Sequence, residues 1–515
     1  MDMASVLDAS VVGRPNKAAL RYDGIGITYK EFQRLSYQSA NLLRSKGIGF
    51  GDTIGLMCFN TPGFLLAAFG AWRLGAIIVP INHKMQAPEV DYILEHANIK
   101  ALVFDGGLAD VVDQTKHVCL RMTTAIKSAN HPSFDEAVEA APADERFDRV
   151  SPDAIAEVLY TSGTTGKPKG CLHSHRNLLA TCLTVIAMTA MTEQDRMLIS
   201  MPIWHSSPLN NWTLGTILLG GTVVLLREYS PRGFLEIIQR ERTTATFCAP
   251  IALLAPLSAV EDFDRYDLSS MTRWIYGGGP IGADMAKQLI EKYGSQNFLQ
   301  VYGMTEAGPL GTTLQAYDAL RKAGSIGCNA GPGLEIKVVR LDGSLAEAGE
   351  IGEIHMRSHA MMKGYLNDPD ATARAFTDDG WYKSGDLAQI DHEGYMYIVD
   401  RMKDMIVTGG ENVYSKEVED VLSPHPAIED VAVIGIPHPH WGETVTATIV
   451  LKSGASASPD ELREFLMPLL AKYKIPRVYK FMDRLPRTPS GKLKKHEIRA
   501  ALGDNTEAPP AKETT

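Results

Sequence analysis

The sequence lacks any paired-cysteine pattern: Cys58, Cys119, Cys171, Cys182, Cys248 and Cys328 are widely scattered and form no CxxC. Neither a disulfide framework nor a zinc site is expected from such spacing, and a reducing, cytoplasmic compartment fits best. Long uninterrupted apolar runs are also missing. Phe64 to Pro80 is broken by Arg73, and Leu214 to Leu226 is too short to span a bilayer, so no transmembrane segment is expected. The opening MDMASVLDASVVGRPNK carries acids and no apolar h-region, which excludes a secretory signal in its usual form. Positive charge is in deficit: 51 Lys and Arg against 61 Asp and Glu leave a formal charge of −10. That balance argues against a general nucleic-acid binder, since phosphate backbones are held by a surplus of Lys and Arg.

What is present is the composition of a globular protein, 45% apolar and 22% charged over 515 residues, long enough for two or more domains. Short β-branched or apolar runs at Thr53 to Cys58, Ala101 to Phe104, Ala156 to Thr161 and Thr222 to Leu226 read as buried strands. Between them, Tyr29 to Lys46 and Asp284 to Tyr293 carry apolar residues at three- and four-residue spacing and read as helices. The alternation is that of βαβ units around mainly parallel sheets, an α/β class. After about residue 400 a smaller segment follows, with strands expected at Asp430 to Ile436 and Thr444 to Leu451 and a helix over Pro459 to Ala471. The division reads as 1–400, 401–502 and a polar, Pro-containing tail at 503–515 that is expected to be disordered.

The most informative stretch is Tyr160 to Gly170, YTSGTTGKPKG, which puts three glycines, four aliphatic hydroxyls and two lysines after a strand pattern. Glycines let backbone N–H groups approach an anion, hydroxyls donate further bonds and lysines supply charge, so the loop suits a polyphosphate. It is not a Walker loop, because only two residues separate Gly163 from Gly166. Further motifs follow in order: MPIWHSSP at Met201 to Pro208, YGGGP at Tyr276 to Pro280, VYGMTEAG at Val301 to Gly308, SGDL at Ser384 to Leu387, DRMKDMIVTGGENVYSKEVE at Asp400 to Glu419, and PRTPSGKLKK at Pro486 to Lys495.

Together with the loop, these closely resemble the signatures of the adenylate-forming superfamily, which contains acyl-CoA synthetases, the adenylation domains of peptide synthetases and beetle luciferases. The resemblance covers nearly the whole chain. It implies a large N-terminal domain of sheets, a small C-terminal domain that swivels, and a two-step reaction using ATP, Mg²⁺ and coenzyme A on a small-molecule carboxylic acid. On the family pattern Thr161, Ser162, Gly163, Thr164, Thr165 and Lys169 hold the β- and γ-phosphates, Thr305 bonds the α-phosphate and Glu306 ligates Mg²⁺. The adenine stacks on Tyr302 and lies against Gly278, Gly279 and Pro280, with Gly303 beside it, while Asp386 takes the ribose hydroxyls and Arg401 adds a ribose or phosphate contact. Lys492 matches the lysine that meets the α-phosphate and the carboxylate. Lys403 occupies the hinge position. Gly409, Gly410 and Glu411 border the pantetheine path, and Lys472, Lys474 and Arg477 are candidates for the CoA phosphates.

The same pattern lines the acyl pocket with Trp204, His205, Asn210, Asn211, Trp212, Gly277, Gly303 and Met304. His205 gates the pocket and is no general base, because a carboxylic acid is already ionised at neutral pH. His173/His175 and His438/His440 have ligand-like spacing without partner ligands at the usual separations. No acid follows the pocket motif to hold a substrate ammonium, and no carrier domain follows Leu502, which favours coenzyme A as acceptor. No Arg or Lys falls between Trp204 and Leu226, so the expected substrate is a medium- or long-chain monocarboxylic fatty acid, with an aromatic or short functionalised acid as the alternative. An adenylating enzyme serving a carrier protein and a non-catalytic ligand-binding relative are the other readings, and a homodimer is compatible with the sequence. Lys492→Ala is expected to slow pyrophosphate release from ATP and acid by roughly 10²–10³-fold, the scale of one lost donor to developing charge; a continuous pyrophosphate assay measures it.

Overall fold

Each strand expected from a short apolar run is found, because such runs can be buried only by pairing. The structure, a computed structural model, describes residues 1–143, 147–161, 168–279, 281–408, 411–438, 441–487 and 493–503. The chain folds as two compact units: Met1–Lys337, His355–Lys383 and Gly394–Met396 make the first, and Val338–Ile354, Ser384–Glu393 and Tyr397–Thr515 the second. The second therefore takes in two stretches that precede residue 400. The chain crosses between the units five times, four of them within strands Leu334–Val339, Ile351–Ser358, Tyr382–Ile390 and Met396–Arg401 and one in the turn at Glu393–Gly394.

In the first unit, among the described residues, seven strands form one sheet in the spatial order Gly364–Tyr365, Lys169–Ser174, Ile155–Thr161, Ile77–Pro80, Thr53–Met57, Ile99–Asp105 and Leu120–Thr124. Its last five strands run parallel, and Lys169–Ser174 returns antiparallel on Ile155–Thr161. A second sheet has nine strands, with Arg196–Ile199, Ala245–Cys248, Arg273–Gly277 and Phe298–Val301 parallel at its centre. The class is α/β, as the alternation predicts, and helices run at Tyr29–Ser45 and Ala283–Tyr293 within a residue of their expected limits. Thr28 caps the first by accepting from the Glu31 N–H.

The apolar stretch from Phe64 is not one long helix. Pro62–Leu74 ends at Gly75, whose φ of +70° is a left-handed C-terminal cap, and Ile77–Pro80 is a strand. Arg73 inside that helix is buried on Asp8 at 2.6 Å and lies over the Tyr37 ring. Among the described residues no helix is long and apolar enough to cross a membrane.

The second unit's sheet joins Ile428–His438 to Gly442–Leu451 antiparallel, with Val478–Phe481 parallel to the latter. Both faces of these two strands are covered: Val433, Ala447 and Ile449 pack with Leu422, Leu462 and Leu466, and Ala432 and Ile434 with Leu485 and Ile498, while Thr446 and Thr448 are buried between the apolar positions of Gly442–Leu451. The helix expected over Pro459 to Ala471 stops at Leu466. Pro468 has no N–H to donate back along the helix, so the pattern beyond it cannot continue as one. The tail at 503–515 falls outside the described residues, apart from Gly503 at the end of helix Lys495–Gly503.

Trp72 ties this scaffold to the phosphate loop: fully buried, its Nε1 donates to the Ala156 carbonyl at 2.9 Å on the strand that feeds the loop. Trp72→Ala is expected to cost about 3–5 kcal/mol of stability, the range for emptying a buried aromatic site, read from denaturant unfolding.

Candidate active site

Strand Ile155–Thr161 and strand Lys169–Ser174 make a hairpin whose register sets Tyr160 opposite Gly170 and Thr161 opposite Lys169. The phosphate loop is the connection between them. Ser162, Gly163, Thr164 and Thr165 lie outside the described residues, but both edges of the loop are fixed. The Tyr160 hydroxyl is 2.7 Å from His96 Nδ1, the His96 ring stacks on Tyr92, and the Tyr92 hydroxyl donates to the Pro168 carbonyl at 3.1 Å. Lys169 Nζ lies 5.0 Å from the centre of the Tyr365 ring, and Leu366 N–H donates to the Gly170 carbonyl at 2.7 Å.

Thr305 and Glu306 form a 3₁₀ turn that follows strand Phe298–Val301. Glu306 accepts from the Tyr365 hydroxyl at 3.2 Å, and its carbonyl accepts from Met362 N–H at 2.9 Å. Thr305 Oγ1 is 3.0 Å from Ser206 Oγ, which links this turn to the pocket motif. Burial and the Glu306 charge push the Tyr365 phenol well above its ordinary pKa, so it stays a donor. A half-buried carboxylate is suited to a hard divalent cation. Tyr365 and Ser206 were not among the expected site residues; a Gly-Tyr pair just before the Pro369–Ala375 helix was the available signal.

Gly277, Gly278 and Gly279 close strand Arg273–Gly277; Pro280 lies outside the described residues. Gly278 has φ +85°, and a Cβ there or at Gly279 would meet open space, whereas a Cβ on Gly277 would come within 2.7 Å of the Val301 carbonyl. Gly303 is fixed by approach too: its Cβ would lie 2.6 Å from the Pro309 oxygen. Tyr302 is half-buried, and its N–H donates to Thr312 O at 2.9 Å.

The pocket motif begins in a turn where the Trp204 and His205 rings sit 3.7 Å apart and Trp204 Nε1 donates to His83 Nδ1 at 3.0 Å. Ser207–Thr213 then winds as a π-helix, a form concentrated at functional sites because its wider turn displaces side chains from ordinary helical positions. That register turns the two asparagines to different partners. Asn210 Nδ2 donates to Glu157 Oε1 at 2.7 Å in the interior, while Asn211 Nδ2 donates to the Pro309 carbonyl at 3.2 Å. Trp212, fully buried, donates to Ser207 Oγ at 3.0 Å and stacks on Phe247.

Glu157 is fully buried, and burial pushes its carboxyl up to about 8. His173, its register partner across the hairpin, is also fully buried and pulled down to about 4, so both are neutral at pH 7 and no ion pair forms. His175 accepts from Met3 N–H at 3.2 Å and is likewise lowered by burial to about 4.

In the second unit Arg401 Nε lies 3.1 Å from Asp386 Oδ1, so the two residues expected at the ribose meet each other. Lys403 sits in the 3₁₀ turn Met402–Asp404, where burial lowers its pKa, and Asp404 pairs with Arg499 at 3.0 Å. Glu411 opens strand Glu411–Val413; Gly409, Gly410, His440 and Lys492 lie outside the described residues. Of the cations expected at CoA, Lys474 is held by Glu417 at 2.6 Å, Lys472 is exposed, and Arg477 donates to Thr408 Oγ1 while lying over the half-exposed Trp441 ring. Lys495 is half-buried against Glu419 at 2.7 Å and anchors the chain just after Lys492. The first unit thus gathers Thr161, Lys169, Trp204, His205, Asn210, Asn211, Trp212, Gly277, Gly278, Gly279 and Tyr302 to Glu306; Asp386, Arg401, Lys403, Glu411, Lys472, Lys474 and Arg477 belong to the second.

The AMP-binding enzyme family matches residues 7–366, and the AMP-binding enzyme C-terminal domain matches residues 417–492. The chain is 36% identical over 493 residues to a feruloyl-CoA synthase of an Amycolatopsis species, covering 95% of this chain and 96% of that protein. It is 35% identical over 477 residues to the long-chain-fatty-acid–CoA ligase FadD13 of Mycobacterium tuberculosis, covering 92% and 93%. Among solved structures, the o-succinylbenzoate CoA synthetase (MenE) of Bacillus subtilis in complex with its acyl-adenylate intermediate superposes with a TM-score of 0.84 at 31% identity, over 98% of this chain and 99% of that one.

Glu157 carries a pH prediction. In the folded chain its carboxyl stays protonated up to about pH 8, whereas in the unfolded chain it ionises near 4.5. The stabilisation is therefore complete below the unfolded value and is lost as pH climbs through the folded one, by at most about 1.4 kcal/mol per pH unit. Above about pH 6.5, where His173 and His175, both lowered to about 4 in the fold, no longer add stability with rising pH, denaturant unfolding up to pH 8 is expected to show this decline, and Glu157→Gln to flatten it.

Proposed function

The chain is a member of the AMP-binding enzyme family, an AMP-forming acid–thiol ligase, and on that premise we propose that it joins a neutral-tailed monocarboxylic acid to coenzyme A. The acid's carboxylate attacks the α-phosphorus of ATP, pyrophosphate leaves, and the CoA thiol then displaces AMP from the acyl-adenylate. The observation that carries this reading is the joining of three motifs in one unit: the hairpin holds Lys169 beside Tyr365, Tyr365 holds Glu306, and Ser206 of the pocket motif meets Thr305.

Two anions must be brought together in the first step, so each role is one of positioning and charge compensation. Thr161, Lys169 and the loop between them bind the outer phosphates, and Thr305 the α-phosphate. Glu306 would hold Mg²⁺, which supplies charge neutralisation on the phosphates when bound. Tyr365 keeps the Glu306 carboxylate turned to that task. Lys492 supplies the cation at the reacting centre, Asp386 and Arg401 take the ribose, and Lys403 absorbs the backbone change of a swivel. Glu411 and the exposed cations Lys472 and Arg477 serve CoA.

For the acid, the pocket end favours an aromatic or short functionalised compound over a long chain. Asn211, Tyr302, Pro309 and Leu310 line a cavity of only about 10 Å³, and fully buried Trp212 occupies space on the same π-helix. A similar feruloyl-CoA synthase supports that class, and a similar long-chain-fatty-acid–CoA ligase keeps the fatty acid as the second reading. Mixing the protein with ATP, Mg²⁺ and acids of graded length, aryl acids included, is expected to release pyrophosphate, and adding CoA to yield the thioester by mass spectrometry. Pyrophosphate without thioester refutes CoA as acceptor; no acid-dependent pyrophosphate refutes the adenylation itself.

A further inference from the structure

We propose that Asn211 and Thr313 form a hydroxyl-binding subsite at the closed end of the acyl pocket, so that the preferred acid carries a hydroxyl at the end opposite its carboxylate. The proposal rests on the ligase reading above and goes further, because it assigns two side chains to substrate selection.

Asn211 is 3% exposed and Thr313 fully buried, yet Asn211 Oδ1 and Thr313 Oγ1 have no hydrogen-bond partner among the described residues. The amide cannot be relieved by turning it over. Its Nδ2 faces the Pro309 carbonyl at 3.2 Å, and a carbonyl only accepts, so the donor end is fixed there and the oxygen must look the other way. Thr313 is fixed as firmly through its backbone, set in register opposite Val301 and Asn329. Both residues line the same cavity of about 10 Å³, with Val185, Met188, Tyr302 and Leu310 as its apolar walls. The floor is rigid: a Cβ on Gly311 would lie 2.3 Å from the Tyr302 carbonyl, so the loop that closes the cavity is packed directly on the Tyr302 backbone.

Buried polar atoms are nearly always paired, and two orphans on one cavity define what completes them. Asn211 Oδ1 needs a donor; the Thr313 hydroxyl can give a proton or take one. A hydroxyl satisfies both at once, donating to Asn211 and accepting from Thr313, and a cavity of this volume admits a group the size of one water. A terminal methyl satisfies neither, and a carboxylate cannot donate to Asn211. An acid that ends in a methyl group leaves both orphans buried against carbon, which is the situation that makes polar sites reject analogues lacking the polar group.

The test compares acids that differ only in that hydroxyl, by pyrophosphate release with ATP and CoA present: 4-hydroxybenzoate with benzoate, 4-hydroxycinnamate with cinnamate, and 10-hydroxydecanoate with decanoate. The expected result is a kcat/KM advantage of roughly tenfold or more for the hydroxylated member of at least one pair; the pair that shows it tells a phenolic from an aliphatic hydroxyl. Thr313→Val and Asn211→Leu are expected to bring that ratio to about one, and Thr313→Ser to keep it. Equal rates within every pair, or preference for the unhydroxylated acids, overturns the subsite and leaves the ligase reading standing; such a cavity would hold a water only. Absence of pyrophosphate with all six acids and with the wider panel overturns the ligase reading instead. The paired acids need only the unaltered protein, so a variant that fails to fold does not blunt the test.

Discussion

A loop proposed to bind phosphate works only if the strand that launches it cannot move, and strand Ile155–Thr161 is fixed residue by residue. The Ala156 carbonyl accepts from Trp72, the Glu157 carboxyl from Asn210, and the Tyr160 hydroxyl meets His96. Thr161 is paired opposite Lys169. These ties come from helix Pro62–Leu74, from the π-helical segment Ser207–Thr213, from the end of helix Ala87–His96 and from the neighbouring strand of the same sheet. The strand is therefore the common reference for the proposed anion-binding and acid-binding parts of the site, and a shift along it would displace both together.

The chemistry beneath that strand is arranged to keep charge out of the interior. Glu157 and His173 face one another across the hairpin, but burial raises the acid and lowers the base until neither is ionised at neutral pH. A buried ion pair would have to overcome the desolvation of two charges, and two neutral groups avoid that cost. The charged residues of the first unit's site lie nearer solvent: Glu306 is half-buried under the Tyr365 phenol, and Lys169 lies over the same ring. One tyrosine thus orients the carboxylate and flanks the lysine, which makes the Gly364–Tyr365 strand part of the proposed site.

The second unit applies the same economy of placement to its own groups. Glu419 accepts from Val433 N–H and holds Lys495, so the chain is pinned within three residues of Lys492. Asp386 and Arg401 hold each other, and Asp404 holds Arg499 one residue beyond Lys403. Short charged contacts of this kind orient side chains more than they stabilise the fold, since partly exposed pairs contribute little net energy.

The order of seven motifs determined the family, the α/β class and the identity of most candidate site residues, because phosphate loops and metal carboxylates are local in sequence. Strand limits were legible to within a residue or two for the same reason: an apolar run long enough to be a strand must be buried wherever it goes. The extent of the Pro459–Leu466 helix was overestimated from its periodicity, since Pro468 ends it through a missing N–H that periodicity does not register. What sequence could not decide was direction. Asn210 and Asn211 are neighbours of the same type, and only the π-helical register sends one to Glu157 and the other to Pro309. Tyr365 reaches Glu306 across 59 positions, and Thr313 joins Asn211 on one cavity across about a hundred, contacts that exist only once sheets are paired. The sequence by itself determined which chemical groups this protein owns; the tertiary structure decided which of them face a substrate, because facing is set by pairing register and by the partners that burial demands.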